Sequence, residues 1–371
     1  MEYVIDGNSM IHIISNSVVS LIKDKFPIDY ESSNSPNNEL NEFVKKQVRN
    51  IFYKYLNSYI FPFKDLINGV HFTIDDTSWR KRYTYAYYEK YTDDVGKFIY
   101  KGNRVIDNNN FILNNIFTYI KNELVLELKN IPGFFIYSVI GAEGDDIIAF
   151  IVEKFKESDI VIFSGDSDIA QLVTNNGRDV IMLYPSRFKN KQRRIYVNAK
   201  VNTSFKYNYQ ISSTIDTLLR SNFYKLVQYE PGKELLIKIV AGDKKSDNIN
   251  SVYVRVNAKN KFINITSKRV TKFLAPIFDK YTDDDILKNI DSLNEDFIKD
   301  VIHSVMNEFK ISLNDTEKFE YIKRSLIRNI RLTRLNFNVI LEGMYDLIEK
   351  VFDFYHNNTP FNYNEFNTLL E

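Results

Sequence analysis

The chain has 371 residues, of which 44% are apolar, 15% aromatic and 26% charged, with a formal net charge of +1. It contains no cysteine, which excludes disulfides, thiolate catalysis and cysteine-ligated zinc. The length allows a large core and two domains, no apolar run approaches the ~20 residues of a membrane span, and a net charge near zero excludes a globally basic protein.

Strand and helix signals alternate through the first half. "YVID" (Tyr3 to Asp6) is a short apolar run ending in an acid, with no basic flank to suggest a secretory signal. An amphipathic stretch follows, from about Ser9 to Asp24, and then "ESSNSPNN" reads as a loop. "GVHFTIDD" is a second apolar run ending in acids, Asp75 and Asp76. Residues 79–92 read as helix, and Phe111–Lys129 more strongly so. "FFIYSVI" is a third strand, followed by "GAEGDD" and the helical "IIAFIVEKF". "DIVIF" and "DVIMLY" are the fourth and fifth strands. This alternation predicts an α/β fold with a mainly parallel sheet flanked by helices. The second half reads as helical and polar, with helices over Gly232–Val240, Asp284–Phe309, Ile322–Leu335 and Phe337–Phe354 and a boundary near residue 200.

Active sites of open parallel sheets form beyond the carboxyl ends of the strands. Acids sit at four such ends: Asp6; Asp75; Glu143 with Asp145 and Asp146; and Asp166 with Asp168. Any one of them could be an N-cap for the next helix, but that does not explain acids at four ends. Ionised carboxylates so clustered repel one another unless cations intervene. Oxygen ligands alone suit Mg²⁺ or Mn²⁺, and two such ions suit phosphodiester hydrolysis. No loop fits an EF-hand. His12, His71, His303 and His356 are too scattered in sequence to suggest a histidine metal site.

Charge is segregated. Between Arg80 and Arg104, seven basic residues face three acidic ones. Arg187–Lys200 and Asn248–Phe278 each carry six basic residues and no acid. Lys323, Arg324, Arg328, Arg331 and Arg334 fall mostly on one helical face. Each stretch alone is commonly a solvated face; together they suit a polyanion. The preferred role for Trp79 and the tyrosines after it is helix packing rather than base stacking.

Asp6 on a first strand, "IDD" on a second, "AEGDD", "SGDSDIAQL" and "GDKKSDN" resemble, in that order, the motifs of the flap endonuclease and 5′→3′ exonuclease superfamily, and "DDTSWRKRYTYAYY" is similar to a segment of its phage members. The likeness runs over about residues 1–345. It implies a PIN-like catalytic domain over 1–200, with a helical arch near 78–104, and a helix-3-turn-helix-like, duplex-binding domain over 201–371. It implies a first Mg²⁺ held by Asp6, Asp75, Glu143, Asp145 and Asp166, a second by Asp168, Asp243 and Asp247, and Asp146 beside both, with Mn²⁺ as a substitute. Arg80, Lys81 and Lys90 would serve catalysis by gripping the scissile phosphate, and Arg82, Arg255, Lys259, Lys261, Lys268 and Arg269 would hold nucleic acid.

The implied activity is removal of RNA primers and 5′ flaps in viral DNA replication, in the cytoplasm of an infected host, by a monomer acting on duplex DNA or RNA–DNA hybrid. A single-strand-binding protein or sliding clamp would be its partner, the latter through the C-terminal "FNTLLE", although such tails are usually helix ends. A PIN-like ribonuclease on structured RNA and a non-catalytic DNA-binding paralogue are the alternatives. Three departures stand out. "GDKKSD" has one residue more than the family's Gly-Asp-x-x-Asp. "NINSVYVRVNAKNKF" lacks the family's hairpin glycines. Gly144 replaces the usual alanine, an exchange that looks harmless.

Overall fold

The computed structural model describes residues 1–25, 42–92, 97–103, 111–185, 193–198, 224–256, 262–336, 338, 340 and 343–370. The expected boundary near residue 200, the loop "ESSNSPNN", Lys259, Lys261 and most of the basic stretch 187–200 lie outside these residues. The chain forms two compact units: residues 1–76, 106–228 and 346–371, and residues 77–105 and 229–345. Residues 77–105 therefore group with the helical half, and the C-terminal segment groups with the sheet. Among the described residues, no helix is long and apolar enough to cross a membrane.

The first unit is built on a seven-stranded sheet in the order β3-β2-β1-β4-β5-β6-β7. The strands are β1 (Glu2–Asp6), β2 (Gly69–Ile74), β3 (Phe134–Ser138), β4 (Ile160–Phe163), β5 (Val180–Tyr184), β6 (Arg193–Asn198) and β7 (Tyr224–Tyr229). β3, β2, β1, β4 and β5 run parallel and β6 is antiparallel to β5. This is the mainly parallel α/β sheet that the alternating pattern predicts. Continuously apolar strands such as "IVIF" suit it, because helices cover both faces. The helices Gly7–Lys25, Glu42–Ile60 and Phe111–Tyr119 pack with Phe72, Phe134 and Phe163 into one buried core. Each fully buried aromatic contributes roughly 2–3 kcal/mol. Gly7 starts its helix directly after Asp6, and only glycine fits there: a Cβ would stand 2.4 Å from the Thr73 carbonyl oxygen.

The C-terminal segment completes this unit. Phe352, from the helix Met344–Tyr355, stacks on Tyr137 at 5.4 Å and meets Phe150 at 5.3 Å. His356 lies 4.7 Å from the Phe135 ring and 5.7 Å from His71, whose Nε2 is 2.9 Å from Glu2 Oε2. Two of the four scattered histidines are thus neighbours, 285 residues apart in sequence, in an aromatic cluster. Phe366 is fully buried in the core, with Leu369 and Leu370 packed against it. The apolar residues of "FNTLLE" lie in or against the core, in and after the short helix Tyr363–Thr368, as the reading of this segment as a helix end expects.

The second unit is helical. Its core gathers Leu236, Ile239 and Val240 of the helix Pro231–Ala241 with Ile286, Ile290, Val301, Ile302, Ile322, Leu326 and Ile330. The single helix expected over Asp284–Phe309 is two, Asp283–Asp291 and Glu295–Glu308. Leu293 between them adopts a φ of +50°, and the Asn294 side chain accepts the Phe297 N–H to cap the second helix. The helix expected over Ile322–Leu335 spans Thr316–Thr333, and that over Phe337–Phe354 begins at Met344. A short antiparallel pair, β8 (Arg255–Val256) and β9 (Phe262–Ile263), follows "GDKKSDN".

Acid should loosen the C-terminal segment. Burial, then the nearby His71 and Lys154, hold the His356 imidazole below its ordinary value, with Glu2 and Asp353 opposing. The unfolded chain therefore takes up this proton first as pH falls. Stability is complete above about pH 6.5 and drains away below it. Hydrogen-exchange protection over residues 346–370, taken relative to the intrinsic rate at each pH, should fall on acidification from pH 7 to 5.5, and His356→Phe should blunt that response.

Candidate active site

Parallel register places the acids of three neighbouring strands at one edge of the sheet. Asp6, the last residue of β1, pairs with Thr73 of β2, two residues before Asp75, and Ile5 pairs with Phe163 of β4, three residues before Asp166. Asp6 is buried. It accepts the Ser9 backbone N–H on Oδ1 at 2.9 Å and the Ser164 hydroxyl on Oδ2 at 2.6 Å. Burial pushes its carboxyl up to about 7; the two hydrogen bonds oppose this and the charges of Asp75 and Asp166 add to it. Asp6, Asp75 and Asp166 thus interact electrostatically, as the sequence pattern predicts.

The remaining acids of the rim sit at helix starts. Glu143 is the N-cap of the helix Gly144–Lys154 and forms a capping box with Asp146, whose Oδ2 accepts the Glu143 N–H at 3.1 Å. Both are buried, while Asp145 between them is partly exposed. Asp75 Oδ1 accepts the Gly144 N–H at 2.6 Å. Asp166 caps the 3₁₀ turn Ser167–Leu172 by accepting the Asp168 N–H at 2.9 Å. A Cβ at Gly144 would lie 2.9 Å from Asp75 Oδ1 and 3.1 Å from Thr73 Oγ1, so glycine permits the close approach of its N–H to Asp75.

The donor chemistry suits a divalent cation: the side chains are all carboxylates, and beside burial the charges of Asp75 and Asp166 add a smaller part to the raised Asp6 value. The side-chain arrangement is a set of caps. Among the described residues, no group of three His, Cys, Asp or Glu side chains converges closely enough to hold a metal ion. Asp75, Asp146 and Asp166 each accept a backbone N–H instead.

Asp243 and Asp247 belong to the second unit. The residue added in "GDKKSD" falls in a turn after the helix Pro231–Ala241. Both carboxylates face Lys238, whose Nζ is 3.0 Å from Asp243 Oδ2 and 3.6 Å from Asp247 Oδ2. Burial raises Asp243, but Lys238 and the backbone N–H groups of Ser246 and Asp247 outweigh it and hold the carboxyl below its ordinary value. Asp247 is itself buried. A lysine partner for these two acids is the residue that sequence reasoning missed; its spacing of five and nine residues was the available signal.

The basic residues divide into exposed and buried sets. On the helix Trp79–Lys90, Lys81, Arg82 and Lys90 are exposed. Arg80, expected to grip phosphate, is 2% exposed, lies over the Trp79 ring and donates from Nε to the Leu332 carbonyl at 3.2 Å. Arg255 and Lys268 are exposed. Arg269 donates to Glu308 at 2.6 Å.

The cluster from Lys323 to Arg334, expected as a basic face, is mostly engaged within its own unit. Arg324, Arg328 and Arg331 lie over the rings of Tyr91, Tyr87 and Tyr83 at 4.9, 5.4 and 5.8 Å. The tyrosines climb their helix by four residues while the arginines descend theirs by three or four, so the two helices run antiparallel as a ladder. Arg328 is buried, and it also reaches Phe98 and the Tyr88 hydroxyl. Arg334 is bidentate on Asp291, and Lys323 pairs with Glu295. Trp79, Tyr87 and Tyr88 are buried, so packing is the role of these rings, as preferred from the sequence.

Residues 98–206 match the family model described as the 5'-3' exonuclease, N-terminal resolvase-like domain. That span contains "AEGDD" and "SGDSDIAQL", so the superfamily resemblance drawn from the motifs is borne out by an independent match. No curated protein matches the chain. Among solved structures, the chain is similar to the T5 D15 protein co-crystallised with metal ions, at 14% identity and TM-score 0.49, covering 100% of this chain and 99% of that one. It is also similar to the T5 5'-exonuclease with bound zinc, at 13% identity, TM-score 0.48 and coverage of 95% and 98%. A third similar structure is the bacteriophage T5 D15 flap endonuclease pseudo-enzyme–product complex with DNA and metal ions, at 14% identity, TM-score 0.46 and coverage of 95% and 97%.

Two outcomes follow from the geometry. Between about pH 4 and 7 folded Asp6 keeps a proton that the unfolded chain has lost, so stability falls as pH rises through that window. Asp6→Asn removes the loss and keeps the Ser9 N–H on Oδ1, while its Nδ2 reverses the Ser164 bond and becomes the donor. In EDTA at pH 8 it should melt several degrees above wild type, the gap closing toward pH 4. Arg328→Ala should cost about 3 kcal/mol in denaturant unfolding, and exposed Arg331→Ala under about 1 kcal/mol.

Proposed function

We infer that this chain, whose residues 98–206 match the 5'-3' exonuclease N-terminal resolvase-like domain, is a metal-dependent 5′-nuclease that hydrolyses phosphodiester bonds in DNA or RNA–DNA hybrid. The observation that carries the reading is the meeting of Asp6, Asp75 and Asp166 at the carboxyl edge of a parallel sheet, two of whose acid motifs lie inside the matched span. Asp6, Asp75, Glu143, Asp145 and Asp166 would hold one Mg²⁺, and Asp146 and Asp168 would serve a second. Bound there, Mg²⁺ would supply an activated water and neutralise charge on the phosphate.

The chain's own residues do the rest. Asp75, Asp146 and Asp166 would offer the cation the carboxylate lone pairs that their backbone N–H bonds leave. The exposed Lys81, Arg82 and Lys90 orient the phosphate and the 5′ strand; buried Arg80 instead anchors the helix that carries them. Exposed Arg255 and Lys268 hold the duplex through its backbone, without reading sequence, so affinity should fall steeply with salt. Removal of RNA primers and 5′ flaps in viral replication is the biological use that fits this chemistry. A second reading, a DNA-binding paralogue without activity, is favoured by one observation: Lys238 already balances Asp243 and Asp247.

Cleavage of a 5′-labelled flap and of a nicked RNA–DNA hybrid in Mg²⁺ tests the reading. Wild type should release short 5′ products, and Asp166→Ala should lose at least ~100-fold in rate. Duplex binding without cleavage by wild type would promote the paralogue.

A further inference from the structure

Two serines in the acid motifs have no role in the reading above. Ser164 follows β4 directly and is completely buried. Its hydroxyl donates to Asp6 Oδ2 at 2.6 Å and accepts the Asp166 backbone N–H at 2.9 Å. Ser9 makes the complementary pair of bonds. Its backbone N–H donates to Asp6 Oδ1 at 2.9 Å, and its hydroxyl accepts the Gly165 N–H at 2.7 Å. A hydroxyl carries one donor and two acceptor sites, so each bond is compatible with the others. The result is a closed ring: Asp6, Ser9, Gly165, Asp166, Ser164 and back to Asp6.

We propose that Ser164 and Ser9 are positioning residues that orient the Asp6 carboxylate and tether the loop carrying Asp166 at the rim, so that losing either hydroxyl weakens divalent-cation binding there. The proposal rests on the nuclease reading. A donor on each oxygen of Asp6 fixes the rotation of its carboxylate, and each oxygen keeps a further lone pair for a cation. The 2.6 Å bond is of the short, charge-assisted kind. The Gly165 N–H is held by Ser9 of the first helix and the Ser164 hydroxyl by Asp6 of β1, so the loop cannot swing away without breaking these two ties. Groups that orient carboxylate ligands in this way tune metal affinity without touching the metal. Only the tertiary structure shows this, because Ser9 and Ser164 are 155 positions apart and each looks like filler beside an aspartate.

The test uses the full chain and Mn²⁺ alone as the probe. Free Mn²⁺ is read by electron paramagnetic resonance, and flap cleavage is followed across a range of Mg²⁺ concentrations. Ser164→Ala should weaken Mn²⁺ binding about tenfold or more. It should also shift the Mg²⁺ dependence of cleavage by the same factor, with much of the rate regained at saturating metal. Ser164→Thr, which returns the hydroxyl, should recover most of the affinity. Melting in EDTA checks that the variants are folded. A folded Ser164→Ala chain that binds Mn²⁺ within twofold of wild type overturns the proposal. Should that variant not fold, Ser9→Ala carries the test: it removes only the Gly165 tie and leaves the backbone donor to Asp6, and wild-type Mn²⁺ affinity in it is equally fatal. Wild type that neither binds Mn²⁺ nor cleaves would instead bring down the nuclease reading itself.

Discussion

The parallel pairing of β2, β1 and β4 is the constraint on which the rest of the candidate site depends. Parallel strands end on the same side of a sheet, so residues that close separate strands become neighbours whatever their separation in sequence. Asp6, Asp75 and Asp166 meet for this reason, and burial, with a smaller addition from the charges of the other two, lifts the Asp6 carboxyl far from its ordinary value. A fold held together by apolar burial thus carries a local electrostatic strain that it does not itself relieve. That strain is what a divalent cation would remove.

Helix starts moderate the strain in the meantime. Each rim acid also meets the start of a helix or turn, and such starts offer unpaired backbone N–H groups. Asp75 takes the N–H of Gly144, Asp146 that of Glu143, and Asp166 that of Asp168. Capping and metal ligation are therefore two uses of the same carboxylates rather than alternative explanations of them. The question posed by the motifs, whether the acids are caps or ligands, has a mixed answer: in this structure they cap, and their crowding makes them ligand candidates.

The helical unit treats its charges differently. Its arginines run along one face of the helix Thr316–Thr333, where a sequence view finds a basic surface. Tyrosines of the helix Trp79–Lys90 cover that face ring by ring, leaving Arg331 exposed and Arg328 enclosed. The rings satisfy the guanidinium groups through their faces, so the ladder is a packing device made from residues that would otherwise attract a polyanion. The cations left exposed include Lys81, Arg82, Lys90, Arg255 and Lys268.

Period and punctuation in the sequence were enough to determine the parallel sheet, the order of its acid-bearing strand ends, and most of its helices, because burial imposes local patterns that a chain displays by itself. The ordered motifs were enough to determine the family resemblance. Tertiary structure decided everything that depends on a partner distant in the chain. It turned Arg80 and Arg328 inward, gave Asp243 and Asp247 a lysine, set His356 against His71, and took Phe366 into the core. It also broke the helix at Leu293, where a left-handed residue interrupts a sequence whose apolar period continues. A side chain's type states what it can bond to; which bond it makes is settled by the group that folding brings within reach, and at this rim that group is more often a backbone N–H or a serine hydroxyl than another charge.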